Sequence, residues 1–131
     1  MDYQELVNEA FRARENAYAP YSHFAVGACA LMRDHTMICG ANVENAAYGS
    51  TMCAERNAIF QAYCQGYRQD DIVALAIVSD ADVLISPCGA CRQVLAELLH
   101  SDTPIILGCK EYYKITSIGE LLPQAFTGEC L

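Results

Sequence analysis

"IVALAIVS", residues 72–79, has seven apolar residues in eight and no polar alternation. A strand with one wet face alternates apolar and polar side chains, so a continuous run this short reads as a strand covered on both faces. Such a strand sits at the centre of a sheet with helices above and below it. Working outward toward the C-terminus, "SPCGA" turns the chain into a helix over 89–100, with Val94, Leu95, Leu98 and Leu99 as its apolar face. "PIILGC" (104–109) and "YYKIT" (112–116) read as two further strands, "SIGELLP" as a last helical turn, and a tail starts at Gln124. Toward the N-terminus, a helix over 52–65 ends at Gly66, a C-terminal cap. "ENAAYGS" (44–50) is a loop, and "FAVGACALM" (24–32) and "TMICGANV" (36–43) form a hairpin through "RDH". A first helix spans 2–18, capped by Asp2 and carrying Leu6, Ala10, Phe11, Arg14, Ala17 and Tyr18 at helical spacing; Pro20 ends it. The order α-β-β-α-β-α-β-β implies an α/β fold, a three-layer α/β/α sandwich around a mixed five-stranded sheet. With no linker, repeat or composition shift, residues 1–131 read as a single domain.

Composition narrows the function. Hydrophobic residues make up 53% and charged ones 18%, with a formal charge of −8. Two lysines (Lys110, Lys114) and six scattered arginines form no basic stripe, which disfavours a polynucleotide and suits a small neutral ligand. The acidic "MDYQELVNEA" lacks the basic flank and apolar run of a signal peptide. No segment has the roughly 18 apolar residues of a membrane span. The expectation is a cytoplasmic protein, without a membrane or nucleic-acid partner, whose eight cysteines stay reduced.

Three of those cysteines have metal spacing. Cys88-Gly-Ala-Cys91 is a C-x-x-C at the mouth of a helix, which puts two thiols on one side. Cys53 stands at the mouth of another helix. Three protein ligands with an open fourth position describe a catalytic zinc site, whereas a structural site closes with four. Taken alone, the C-x-x-C also fits a redox pair, with Cys53 as a small buried hydrophobe. Glu55, two residues after Cys53 in "TMCAERNAIF" (51–60), favours the catalytic reading: in a first helical turn it can lean over the open position and take a proton from water there. Arg56 can donate to the thiolate sulfurs and offset their charge, as can the two helix N-termini. Cys29, Cys39, Cys64 and Cys109 lie in apolar runs and read as core residues, and Cys130 as an exposed tail thiol. His23, His35 and His100 lack metal spacing and read as surface groups.

"CAE" followed by "PCGAC" resembles the H-x-E…P-C-x-x-C signature of zinc deaminases, with cysteine in the histidine position. "PYSHFAVGA", "GANVENAAYGSTMCAERNAI", "SPCGACRQVL" and "ELLPQAF" are similar to blocks of the small, homotetrameric cytidine deaminases, in the same order from Tyr18 to Phe126. The resemblance implies one zinc ion per subunit on Cys53, Cys88 and Cys91, with Glu55 as the proton carrier. It further implies that Asn42 and Glu44 bond the ribose hydroxyls, that Phe24 packs on the pyrimidine, and that backbone groups near Ala54 and Ser86 read the base edge. Tyr48 and Phe126 are the residues through which neighbouring subunits would complete the site. Asn42 and Glu44 share one face of a strand end by two-residue alternation, consistent with one sugar pocket.

The implied reaction is hydrolytic deamination of cytidine and 2′-deoxycytidine to uridine and 2′-deoxyuridine, releasing ammonia, in pyrimidine salvage. A deaminase of a related aminopyrimidine nucleoside such as blasticidin S stays open, as does a non-catalytic zinc-binding interaction module. The latter requires a fourth protein ligand, and the sequence offers no obvious one.

Overall fold

The computed structural model describes residues 2–131. Helix α1 (Gln4–Arg14) is followed by the hairpin β1 (Val26–Met32) and β2 (Met37–Ala41), then α2 (Ala54–Cys64) and β3 (Ile72–Ser79). Helix α3 (Gly89–Leu98), strands β4 (Pro104–Gly108) and β5 (Tyr113–Ser117) and the single turn α4 (Ile118–Leu121) complete the order. The five strands lie in the order β2-β1-β3-β4-β5, and only β3 and β4 run parallel. This is the mixed sheet expected, with "IVALAIVS" as its middle strand, residue for residue.

Covering on both faces explains that strand. Leu75 and Ile77 pack with Ala58, Ile59, Leu95 and Leu99 of the α2/α3 layer, while Ala74, Ala76 and Val78 face Leu6, Val7 and Ala10 of α1. Each fully buried Leu or Ile contributes roughly 1.5–3 kcal/mol. The single parallel pair arises because α3 carries the chain from the end of β3 back to the start of β4.

Three local devices set the element ends. Helix α2 stops in a Schellman motif: Gly66 takes a φ of 96°, its N–H donates to Tyr63 O (3.1 Å), and Tyr67 N–H donates to Ala62 O (3.1 Å). The β1–β2 turn closes because Asp34 Oδ1 accepts from Thr36 N–H at 3.1 Å while His35 sits at φ 74°. At Gly40, in β2, an added Cβ would lie 2.7 Å from Ala58 N and 2.8 Å from Ala54 O, so glycine is what lets the first turns of α2 rest on the sheet.

Helix α1 is shorter than expected. Ala17 and Tyr18 keep helical spacing, yet Glu15 and Asn16 turn the chain and Tyr18 leaves the helix. Tyr18 N–H donates to Asn42 O (2.9 Å) and Tyr18 O accepts from Glu44 N–H (2.8 Å), a bridge to the segment after β2 that outcompetes two more helical bonds. The capping position of α1 is Tyr3 rather than the Asp2 expected, although Asp2 Oδ1 accepts from Gln4 N–H at 2.9 Å. Among the described residues, no helix is long and apolar enough to cross a membrane.

Candidate active site

Helices α2 and α3 pack together with their N-termini converging, and both begin on a cysteine. Cys53 and Cys88 are the residues preceding the first turns, in extended conformation. Neither side chain caps its own helix, so both sulfurs are free to point outward from the helix mouth. Cys91 follows one turn into α3 and is fully buried. The three Sγ atoms lie within 4.8 Å of one another, with Cys53 to Cys88 at 3.8 Å and Cys88 to Cys91 at 3.4 Å. Tetrahedral zinc with Zn–S bonds of about 2.3 Å requires sulfurs about 3.8 Å apart. The donor set therefore fits zinc in both chemistry and spacing. No fourth Cys, His or carboxylate joins the group among the described residues.

The electrostatics suit thiolates. Arg56 Nη2 donates to Cys53 Sγ at 3.4 Å, as the sequence suggested. The neighbouring Cys91 thiol and Arg56 bring the Cys53 thiol well below its ordinary value, while sharing that contact holds Cys91 up. A bound dication would deprotonate all three. The thiolate in turn holds the Arg56 guanidinium more firmly charged. Both helix N-termini direct their unpaired N–H groups at the cluster, which further favours negative sulfur.

One cavity reaches two of these cysteines, Cys53 and Cys88. Ala54, Glu55, Asn42, Glu44, Phe24, Tyr48 and Ser86 line it with them. Glu55 is only 5% exposed, and desolvation raises its carboxyl above the ordinary value. Asn42 and Glu44 are also buried, and both already hold backbone. Asn42 Oδ1 accepts from Val26 N–H and its Nδ2 donates to Phe24 O, each at 2.9 Å. Glu44 Oε1 accepts from Tyr21 N–H (3.0 Å) and Ser22 N–H (3.1 Å), and Oε2 accepts from the Ser22 hydroxyl. Chiefly that hydroxyl keeps Glu44 below the ordinary carboxylate range. Each side chain retains an unused donor or acceptor for a ligand.

Not every expected residue meets there. Phe126 is 59% exposed and lies outside its own chain's cavity; Gln93 Nε2 holds its carbonyl at 2.8 Å. Tyr48, by contrast, stands on the rim of the same chain's cavity at 76% exposure. Cys64, expected in the core, is exposed in the last turn of α2, and Cys39, also expected there, is half-buried on the edge strand β2; Cys29 and Cys109 are buried as expected. Sequence reasoning also passed over Ser22, Thr51 and Ile85 in the cavity wall. It missed Arg92 as well, whose guanidinium donates at 2.8 Å to Pro87 O, Leu121 O and Ser86 Oγ. Arg92 thereby pins the loop just before Cys88. Ser22 had a signal, lying two residues before Phe24, and Arg92 lies five and six residues from Pro87 and Ser86; only its bond to Leu121, distant in the chain, had none.

Known proteins resemble this chain over nearly its whole length. Residues 1–107 match the family model described as the cytidine and deoxycytidylate deaminase zinc-binding region. The chain is 55% identical over 131 residues to a cytidine deaminase of Halalkalibacterium halodurans, covering 98% of this chain and 97% of that one. It is 47% identical to a cytidine deaminase of Sporosarcina psychrophila, covering 100% and 96%. The crystal structure of cytidine deaminase from Burkholderia pseudomallei superposes with a TM-score of 0.93 at 46% identity, over 96% of this chain and 100% of that one. Fold, three-thiol cluster and near full-length similarity agree: the chain belongs to the cytidine and deoxycytidylate deaminase family.

Proposed function

We propose that the protein is a zinc-dependent hydrolase that deaminates cytidine and 2′-deoxycytidine to uridine and 2′-deoxyuridine, releasing ammonia. The observation that carries this reading is the cavity in which Cys53 and Cys88 of the sulfur cluster, the buried Glu55, Asn42 and Glu44 meet. Cys53, Cys88 and Cys91 hold the zinc ion. When bound, zinc supplies the Lewis acidity that lowers the pKa of water toward neutrality. Glu55 accepts the proton of the attacking water and delivers it to ring N3 as the water oxygen joins C4. At the resulting tetrahedral carbon Glu55 takes the remaining proton of the added hydroxyl and passes it to the amine, so that the C4–N bond breaks, ammonia leaves and the C4 oxygen becomes the carbonyl of uridine. Arg56 steadies the thiolates by donating to Cys53. Asn42 and Glu44 bond the ribose hydroxyls, Phe24 packs on the pyrimidine, and backbone groups at Ala54 and Ser86 read the base edge. Burying the base against these fixed groups excludes water from the reacting carbon and favours its tetrahedral form.

In this reading residues 1–131 act as one domain within a cytoplasmic homotetramer of pyrimidine salvage. The position of Phe126, exposed and outside its own cavity, supports its use by a neighbouring subunit. Tyr48, exposed on the rim, is placed where a neighbour can reach it.

Ultraviolet absorbance of purified protein mixed with cytidine tests the activity, with and without a chelator, and blasticidin S as the competing substrate. Glu55→Gln is expected to keep zinc and lose about 10²–10⁴-fold in turnover. Ammonia release near the wild-type rate in that variant removes Glu55 from the mechanism. Light scattering after size exclusion decides the tetramer.

A further inference from the structure

A second pair of thiols lies in the α1 layer, away from the zinc cluster. Cys29 of β1 stands directly opposite Cys39 of β2. Asn42 N–H donates to Val26 O (3.3 Å) and Met32 N–H to Thr36 O (2.8 Å), so the 26–42 and 32–36 pairs are hydrogen-bonded. Two-residue alternation then makes 29–39 a non-hydrogen-bonded pair, where facing Cα atoms approach to about 4.5 Å. That separation falls inside the range a disulfide spans. The two Sγ atoms are already 2.6 Å apart with nothing between them.

The sulfurs differ in access. Cys29 is fully buried beneath Leu6, Val7 and Ala10 of α1. Cys39 is partly exposed in a groove shared with Asn16, Gly40, Asn57 and Gln61. The neighbouring Cys29 thiol lowers the Cys39 thiol below its ordinary value, although burial and Glu9 oppose this; Arg12 assists. The outer sulfur thus has the thiolate character and the access of an attacking group, and the inner one those of a resolving group.

We propose that Cys29 and Cys39 form a redox-active cross-strand dithiol, which low-molecular-weight disulfides oxidise to an intramolecular disulfide. The Cys39 thiolate attacks one sulfur of the oxidant, breaking its S–S bond and expelling one small thiol, which is protonated. The Cys29 sulfur then attacks Cys39 Sγ of the mixed disulfide, losing its proton to the second departing thiolate. The protein gives up two electrons and two protons, and the oxidant becomes two thiols. The product staples β1 to β2 at the register they already have. This site is independent of the deaminase reading and uses none of its residues.

The test incubates reduced, zinc-loaded protein with oxidised glutathione, alkylates remaining thiols in denaturant, and digests without reduction. Trypsin cuts after Arg14, Arg33 and Arg56, separating Cys29 from Cys39. The expected product joins peptides 15–33 and 34–56, is two hydrogens lighter than their sum once the one alkyl group on Cys53 is counted, is cleaved by dithiothreitol, and gives fragment ions that place the link on Cys39 rather than Cys53. Cys29→Ala should stop at a glutathione adduct on Cys39. Recovery of both cysteines as alkylated thiols, after exposed Cys64 has acquired glutathione, overturns the proposal. A link from Cys29 to any other cysteine overturns it too.

Discussion

Replacing Gly40 by alanine should loosen the zinc site without replacing a residue that lines it. The new Cβ would sit 2.7 Å from Ala58 N, 2.8 Å from Ala54 O and 2.9 Å from Asn57 Cβ. The closest of these falls about 0.7 Å short of an ordinary 3.4 Å contact, and two of the three are helix backbone that cannot rotate aside. Strand β2 is held by its ladder to β1, so the first two turns of α2 must lift from the sheet. Overpacking of this kind costs about 1–3 kcal/mol. For a chain of 131 residues that corresponds to a Tm lower by roughly 4–12 °C. Because α2 begins at Cys53 and carries Glu55, the same lift moves one thiol and the carboxylate relative to α3. Displacements approaching 1 Å cost up to about 10²-fold in rate, so a loss of roughly ten-fold or more in kcat/KM for cytidine is expected. Differential scanning fluorimetry and the ultraviolet assay read both effects. Gly128→Ala, with nothing within 4 Å of its added Cβ, is the silent control. A Gly40→Ala protein with wild-type Tm and kcat/KM refutes the packing argument.

Three other outcomes follow from the geometry. Arg56→Ala removes the donor to Cys53 and should weaken zinc retention about 10–100-fold in a chelator titration; half-release at the wild-type chelator concentration would remove Arg56 from the site. Arg92→Ala frees Pro87, Ser86 and the Leu121 carbonyl together and should speed zinc loss, with Arg92→Lys restoring little because one ammonium cannot reproduce the guanidinium fork; equal release rates in wild type and both variants would count against it. Glu44 is held below its ordinary value of 4.5, first by the Ser22 hydroxyl, so its charged form is favoured in the folded chain. That stabilisation is present above the ordinary value and disappears as pH falls toward the folded one. The stability gap between wild type and Glu44→Gln in urea should therefore be widest near neutral pH and shrink below 4.5; a gap that ignores pH contradicts it.

Local patterns were the legible part of this molecule. The run at 72–79 could be read to its last residue because covering on both faces leaves a continuous apolar signature. The end of α2 was legible because only glycine is comfortable at the φ of Gly66. The end of α1 was not, since what stops it is the carbonyl of Asn42, a partner the sequence does not reveal. The same division runs through the site. Cys88 and Cys91 are three residues apart on one helix, and Arg56 lies one turn from Cys53, so spacing alone suggested their contact. The bond from Arg92 to Leu121 joins distant parts of the chain, and the pairing of Cys29 with Cys39 depends on hairpin register, so neither was legible from spacing.

The bonds of Asn42 and Glu44 carry a consequence for how this protein can change. Asn42 fastens the mouth of the hairpin at Val26 and Phe24, and Glu44 ties down the arm at Tyr21 and Ser22. A mutation that retunes either one for a different guest also unlaces the chain's own scaffolding. Drift toward new ligands is thereby channelled to neighbours such as Thr51 and Ile85, which border the cavity. Over generations Asn42 and Glu44 should stay frozen while the rim experiments.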